Sequence, residues 1–191
     1  MDRNRFNGLR QRWVGLAPII GLALLCFTGN PALLWAQVPP NDLCADAISI
    51  DCAQNPFGTL GTNVDASATG APFCGTSPGN QAVWYSVMGN GFEITVDTCS
   101  PTTVFDTKIN VFTGDCMDEP GMICIGGNDD AVGNPLECDL GGLNRLSRIS
   151  WTSVDSVEYL IVVSGFNNAT GAFELTLTCE VPVELQRFTV E

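Results

Sequence analysis

Side-chain oxygens crowd into one short stretch of this chain, Gly126-Gly-Asn-Asp-Asp130, with Gly133-Asn134 just beyond it. Carboxylates and amides between glycines, which let backbone carbonyls turn inward, suit Ca2+, a hard cation that takes about six to eight oxygen ligands. Asp106 opens a strand-like segment after Phe105 and is expected to converge with Asn128, Asp129 and Asp130 in the folded domain. The spacing is not that of an EF-hand, because alternating ligands and a later Glu are missing. The competing reading is an Asx-rich turn whose carboxylates face water.

Other chemistry is poorly supplied. The chain has no histidine, which removes Ser-His-Asp and Cys-His nucleophilic sites and His-ligated zinc. A Ser–Lys pair would have to use Lys108, the only lysine, around which no motif is found. Paired carboxylates of glycosidase type carry little weight in so acidic a chain, where pairs arise by chance. No catalytic residue is expected. Trp84, Tyr85 and Trp151 offer a sugar-stacking platform, but Trp84 and Tyr85 are consecutive in a strand and must point to opposite faces. Trp151 lies between Ser150 and Thr152 and also reads as inward-facing. Asn168-Ala169-Thr170 has the form of a glycosylation acceptor and is read as a turn.

The cysteines fix the compartment. Cys26 lies in an apolar N-terminal stretch, and the other eight, Cys44, Cys52, Cys74, Cys99, Cys116, Cys124, Cys138 and Cys179, follow it. An even number outside the leader is expected of disulfides in an exported chain. The leader itself has a basic start (Arg3, Arg5, Arg10, Arg12) and an apolar run broken by Gly29, Asn30 and Pro31. Leu34-Trp35-Ala36 then supplies a small residue for cleavage. It reads as a signal peptide over 1–36, too short and too interrupted by Pro18 to span a bilayer. No later segment is apolar enough for a membrane span. Four of the eight basic residues and one of the 21 acidic ones lie in the leader, leaving four against 20, a net charge of −16. Such a domain is unsuited to nucleic acid or an anionic membrane. It is secreted, extracellular or cell-surface, and its expected ligand is an extracellular polysaccharide or protein.

The elements that position these residues are strands. Short alternating or β-branched runs recur at 47–50, 82–87, 92–96, 107–112, 122–125, 147–152, 158–163 and 172–178, separated by Gly, Pro, Asn and Asp. Phe92-Glu-Ile-Thr-Val-Asp97 alternates as a strand with one wet face, whereas Tyr159-Leu-Ile-Val-Val163 is apolar throughout and reads as doubly covered. Eight such segments in about 155 residues indicate one all-β domain, an antiparallel, jelly-roll-like β-sandwich over 37–180 with a tail over 181–191. Bridges across it are expected to stabilise by about 2–4 kcal/mol each. The favoured pairing is Cys116–Cys124, across the turn they flank. Cys44–Cys52 is disfavoured by the strand between them, and Cys52–Cys179 would tie the first strand to the last.

The run Pro40-Asn-Asp-Leu-Cys-Ala-Asp-Ala-Ile48 opens a series of familiar motifs. Val83-Trp-Tyr-Ser86, Thr98-Cys99, Phe105-Asp-Thr107, Val111-Phe-Thr-Gly114 with Cys116, and Cys124 before Asn128-Asp-Asp130 follow in order. Arg148-Ile-Ser-Trp151, Tyr159–Val163 with Gly165-Phe166, and Gly171-Ala-Phe-Glu-Leu175 complete it. The series resembles the pre-peptidase C-terminal-like (PPC-like) jelly-roll family of bacterial secreted β-sandwich modules, over nearly all of the chain after the leader. It departs at Ala82, where such modules often carry an acid. The resemblance implies a module appended to secreted proteases or found in cell-surface proteins, with calcium sites in some related collagenase-type modules. The tail Val181–Val190 resembles a segment that often precedes C-terminal sorting signals. The expected function is therefore a non-enzymatic binding or adhesion module, with calcium as the candidate stabilising ion. The alternatives are a carbohydrate-binding accessory domain of an extracellular hydrolase and a structural spacer of a larger surface protein.

Overall fold

A computed structural model of the protein describes residues 37–68, 70–116, 121–131, 138 and 145–181. The leader, Gly133-Asn134 and the tail beyond Val181 lie outside the described residues. Among the described residues nine strands form the fold: β1 (Ile48–Ile50), β2 (Phe57–Thr62), β3 (Ala82–Met88), β4 (Glu93–Asp97), β5 (Thr107–Thr113), β6 (Ile123–Asn128), β7 (Arg148–Thr152), β8 (Glu158–Gly165) and β9 (Ala172–Cys179). They build two sheets, one in the order β1-β3-β8-β5-β6 and the other in the order β2-β9-β4-β7. Every pairing is antiparallel except β1 with β3, which run parallel because the chain visits β2 in the other sheet between them. The chain is an all-β, disulfide-stabilised sandwich, as its alternating segments imply. No helix among the described residues is long and apolar enough to cross a membrane.

The inner faces meet in one core. Val83, Tyr85, Val87, Ile109, Val111, Ile161 and Val163 from the larger sheet pack on Ile94, Val96, Phe173, Leu175 and Leu177 from the smaller. The larger sheet is also buried on its outer face, where Ala82, Trp84, Phe112, Leu160 and Val162 pack with Cys74 under Cys44, Ala47, Ala71, Cys116 and Met122. This is why Tyr159–Val163 is apolar throughout: β8 has no wet face, and only Glu158, at its start, is exposed. The cover is irregular chain, held by specific polar contacts. Trp84 N donates to Asn41 O at 2.9 Å, while Asn41 Nδ2 donates to Trp84 O at 2.8 Å. On β5, the fully buried Asn110 donates from Nδ2 to Cys74 O at 2.7 Å and Thr76 O at 2.8 Å. Asp42 in turn accepts from both N and Oγ of Ser67.

Four disulfides are present: Cys44–Cys116, Cys52–Cys179, Cys74–Cys124 and Cys99–Cys138. The expected Cys116–Cys124 bridge is corrected. Cys124 stands opposite Phe112 in the ladder and shares the outer face with it, so its sulfur meets Cys74 in the cover. Cys116, beyond the end of β5, reaches back to Cys44. Two bridges thus bolt the cover to the sheet. Cys52–Cys179 joins the end of β1 to the end of β9 and so crosses between the sheets. Asn55 brackets the same end, donating to Cys179 O and accepting from Cys179 N.

One strand escapes the sequence pattern. Phe57-Gly-Thr-Leu-Gly-Thr62 contains two glycines, which weaken a strand and read as loop. Gly61 is required because the Tyr85 hydroxyl and the Phe173 ring occupy the space a Cβ would need. Replacing Cys74 and Cys124 together by Ala is expected to lower stability by about 2–4 kcal/mol while keeping the far-UV β signature. Denaturant unfolding of the oxidised protein checks this, and an unchanged midpoint would mean that the outer cover is held without the bridge.

Candidate metal centre

The expected carboxylates come together at one end of the sandwich. Asp106 precedes β5, and Asp129 and Asp130 follow β6, its hydrogen-bonded neighbour, so the ladder itself brings the two loops side by side. One carboxylate oxygen from each of Asp106, Asp129 and Asp130 lies within 4.8 Å of the others. A buried hydroxyl network beneath fixes the loops. Thr98 Oγ1 and Thr107 Oγ1 are 2.6 Å apart, and Ser147 Oγ lies 2.6 Å from Thr107 O and 2.7 Å from Asp129 O, its single proton shared between the two carbonyls. Thr98, Thr107 and Ser147 are fully buried, so these bonds form away from competing water. Asn128 acts as a brace: its Oδ1 accepts from Arg148 N, and its Nδ2 donates to Asp130 O, each at 3.0 Å.

The electrostatics of the cluster are incompletely balanced. Burial, then the Asp129 and Asp130 carboxylates, push the Asp106 pKa above its ordinary value, against weaker lowering by Arg145 and Lys108. Asp129 is likewise raised, chiefly by burial, with Lys108 opposing and Asp130 adding to the shift. Lys108 Nζ stands 3.7 Å from Asp129 Oδ2 but is shared: it donates to Ser77 O at 3.2 Å and lies 5.1 Å from the Phe166 ring centre. Asp106 Oδ1 and Asp129 Oδ1 are buried and accept no hydrogen bond. Buried acceptors without donors are costly, and a cation is the group that satisfies several at once. The donors are carboxylates alone, with no thiolate, since all eight described cysteines are bridged. Such a set fits a hard ion such as Ca2+ or Mg2+ better than copper or zinc.

Sequence reasoning found the three carboxylates and missed their cationic surroundings. Lys108 and Arg145 are far apart in sequence and carry no motif, and only the β5–β6 end brings them to the acids. The aromatic platform is absent from the surface. Trp84 and Tyr85 do point to opposite faces, and with Trp151 all three are buried. Asn168 ends the short 3-10 turn Phe166–Asn168, where its Oδ1 accepts from Asn80 N at 3.1 Å, as a turn residue would.

No protein-family model matches the chain, and no curated protein matches it. Among solved structures, it is similar to CorA, a surface-associated copper-binding protein of Methylomicrobium album BG8. The identity is 13%, the TM-score 0.43, and the match covers 70% of this chain and 98% of that one. It is also similar to Aeromonas hydrophila PliG, a periplasmic inhibitor of g-type lysozyme, at 12% identity and a TM-score of 0.40, over 70% of this chain and 96% of that one.

The raised Asp106 pKa sets a pH prediction for the metal-free protein. An acid with a higher pKa folded than unfolded binds more protons when native, so stability falls as pH rises from the unfolded value, about 3.9, through the folded one. In chelator, Asp106→Asn is expected to melt above the parent at pH 7. That advantage should shrink steadily as pH falls towards about 3.5. Melting curves across pH check it; an advantage that does not vary with pH would show that the carboxylate's charge is not the cause.

Proposed function

We propose that the chain is an exported, non-enzymatic binding module of PPC-like type, acting in the extracellular space or at a cell surface, with its loop end fastened by Ca2+. The observation that carries this reading is the convergence of Asp106, Asp129 and Asp130 at the end of a rigid, disulfide-held sandwich, two of their oxygens buried without a partner. Four disulfides fit an oxidising compartment and support export. The ordered motifs from Pro40 to Leu175 support the family assignment.

Bound there, the ion would neutralise the mutual repulsion of the carboxylates. Asp106, Asp129 and Asp130 would hold it, with Asn128 and Ser147 keeping the loop backbone in place. The start of β5 and the end of β6 would then be linked through the cation, leaving a stiff loop surface for a ligand. Mechanical and binding roles both follow from such stiffening; neither needs a nucleophile or a general base.

A ligand that binds only the folded state stabilises it by about 2.7 kcal/mol at one hundred times its dissociation constant. For a domain of this size that is a rise of about 5–10 °C in melting midpoint. Calcium is expected to raise the midpoint of the oxidised protein by that order, and Asp130→Asn to abolish the rise while leaving the midpoint in chelator unchanged or slightly higher, since one repelling charge is removed. Asp130 is exposed and lies outside the buried hydroxyl network, so the variant should fold. Identical midpoints with calcium and with chelator would discard the cation and leave the spacer role in its place.

A further inference from the structure

A second cavity, of about 380 Å3, adjoins the carboxylate hollow and shares Asp106 and Arg145 with it. Its walls are Pro101, Val104, Phe105 and Leu146. The aromatic wall is propped from behind. Phe105 stands edge-on to Phe173 at 6.2 Å, and Gly171 lies so close that a Cβ there would come within 2.9 Å of both Phe105 and Val104. Phe105 is thereby held in place, and the cavity's volume lies within the range of about 300–1,000 Å3 common for small-molecule sites.

We infer that this cavity is a binding site for a pyranose sugar, with the ring's apolar face on Phe105 and Val104 and its hydroxyls between Asp106 and Arg145. The lining selects this class by its mixed character. A purely aliphatic ligand would leave the Asp106 carboxylate and Arg145, which both line the cavity, without a polar counterpart. In this cavity a single carboxylate, Asp106, stands against a single guanidinium, Arg145, so neither a simple anion nor a simple cation is favoured, unlike in the adjoining three-carboxylate hollow. A hydroxyl both donates to a carboxylate and accepts from a guanidinium, and a sugar ring offers several hydroxyls around an apolar face. Aromatic walls with a few convergent polar groups are the usual make-up of such pockets. The site differs from the buried Trp84, Tyr85 and Trp151 and does not require the cation.

Uniformly 15N-labelled, oxidised protein in chelator, titrated with the methyl glycosides of glucose, galactose, mannose and N-acetylglucosamine, tests the inference. At least one glycoside is expected to give saturable amide shifts at Val104, Phe105, Asp106 and Leu146. Val104→Trp should remove those shifts with no fall in melting midpoint, because Val104 is 71% exposed and the larger side chain fills the cavity from outside. Asp130→Asn, which alters the hollow alone, should leave them intact while removing any calcium response. Absence of saturable shifts with all four glycosides, or shifts that survive Val104→Trp, would overturn the sugar site whatever the calcium result.

Discussion

The central strands of the larger sheet, β3, β8 and β5, are buried on both faces beneath irregular chain, and this constraint organises the molecule. An antiparallel sheet usually leaves one face wet, but β8 and its neighbours β3 and β5 present apolar side chains in both directions. Burying Phe112, Leu160 and Val162 on the outer side is worth about 1.5–3 kcal/mol each, so the drive to cover that face exceeds what either bolting disulfide contributes. The cover is nonetheless irregular chain, whose backbone polar groups must all find partners. Asn41 and Asn110 supply partners by reaching from side chain to backbone, and the Cys44–Cys116 and Cys74–Cys124 bridges hold the segments in register. Apolar burial drives the arrangement; the bridges and asparagines specify it.

The same strand that anchors the cover also positions the candidate site. Lys108, Asn110 and Phe112 alternate along β5 with the core residues Ile109 and Val111. Phe112 carries apolar cover, Asn110 bonds its backbone, and Lys108 reaches Ser77 O within it. Asp106 lies two residues before Lys108, and the Lys108 ammonium is divided between the cover and Asp129. The carboxylate hollow therefore shares its nearest cation with a structural contact. A loosened cover would free Lys108 to pair more closely with Asp129, and the charge balance of the hollow would shift without any change in its own residues.

Local pattern made eight of the strands legible, because alternation and apolar runs record which faces are buried. β2 was not, since its two glycines answer to side chains elsewhere, among them the Tyr85 hydroxyl and the Phe173 ring at Gly61. The disulfides illustrate the same limit. Two cysteines flanking a turn suggest a bridge across it, but that inference assumes the hairpin ends face one another. Here Cys124 belongs to an outer face whose cover comes from residues some fifty positions earlier, at Cys74. Nothing in the spacing reports that a cover exists. The carboxylates were legible because each sits beside a recognisable strand end, and adjacent strands place such ends together. Arg145 and Lys108 complete the hollow by topology alone.

Charge balance gives the cluster its meaning. Residues 37–191 carry 16 net negative charges, and three of their four basic residues, Lys108, Arg145 and Arg148, lie on or just before the strands β5 and β7. Were the acids only a solvated surface, their oxygens would face water and their pKa values would need no explanation. Instead two oxygens are buried without donors, and burial outweighs the neighbouring cations in setting both raised values. Lys108 pairs with Asp129 at 3.7 Å and offsets part of this, but its ammonium is shared with Ser77 O. In the metal-free protein the hollow is therefore locally unfavourable, tolerated because the doubly buried sheet and the buried Thr98–Thr107–Ser147 network hold the two loops together. A local cost sustained by the surrounding fold is what a preorganised ligand site requires, since a ligand then meets acceptors already in place and repulsion that Lys108 and Arg145 only partly offset.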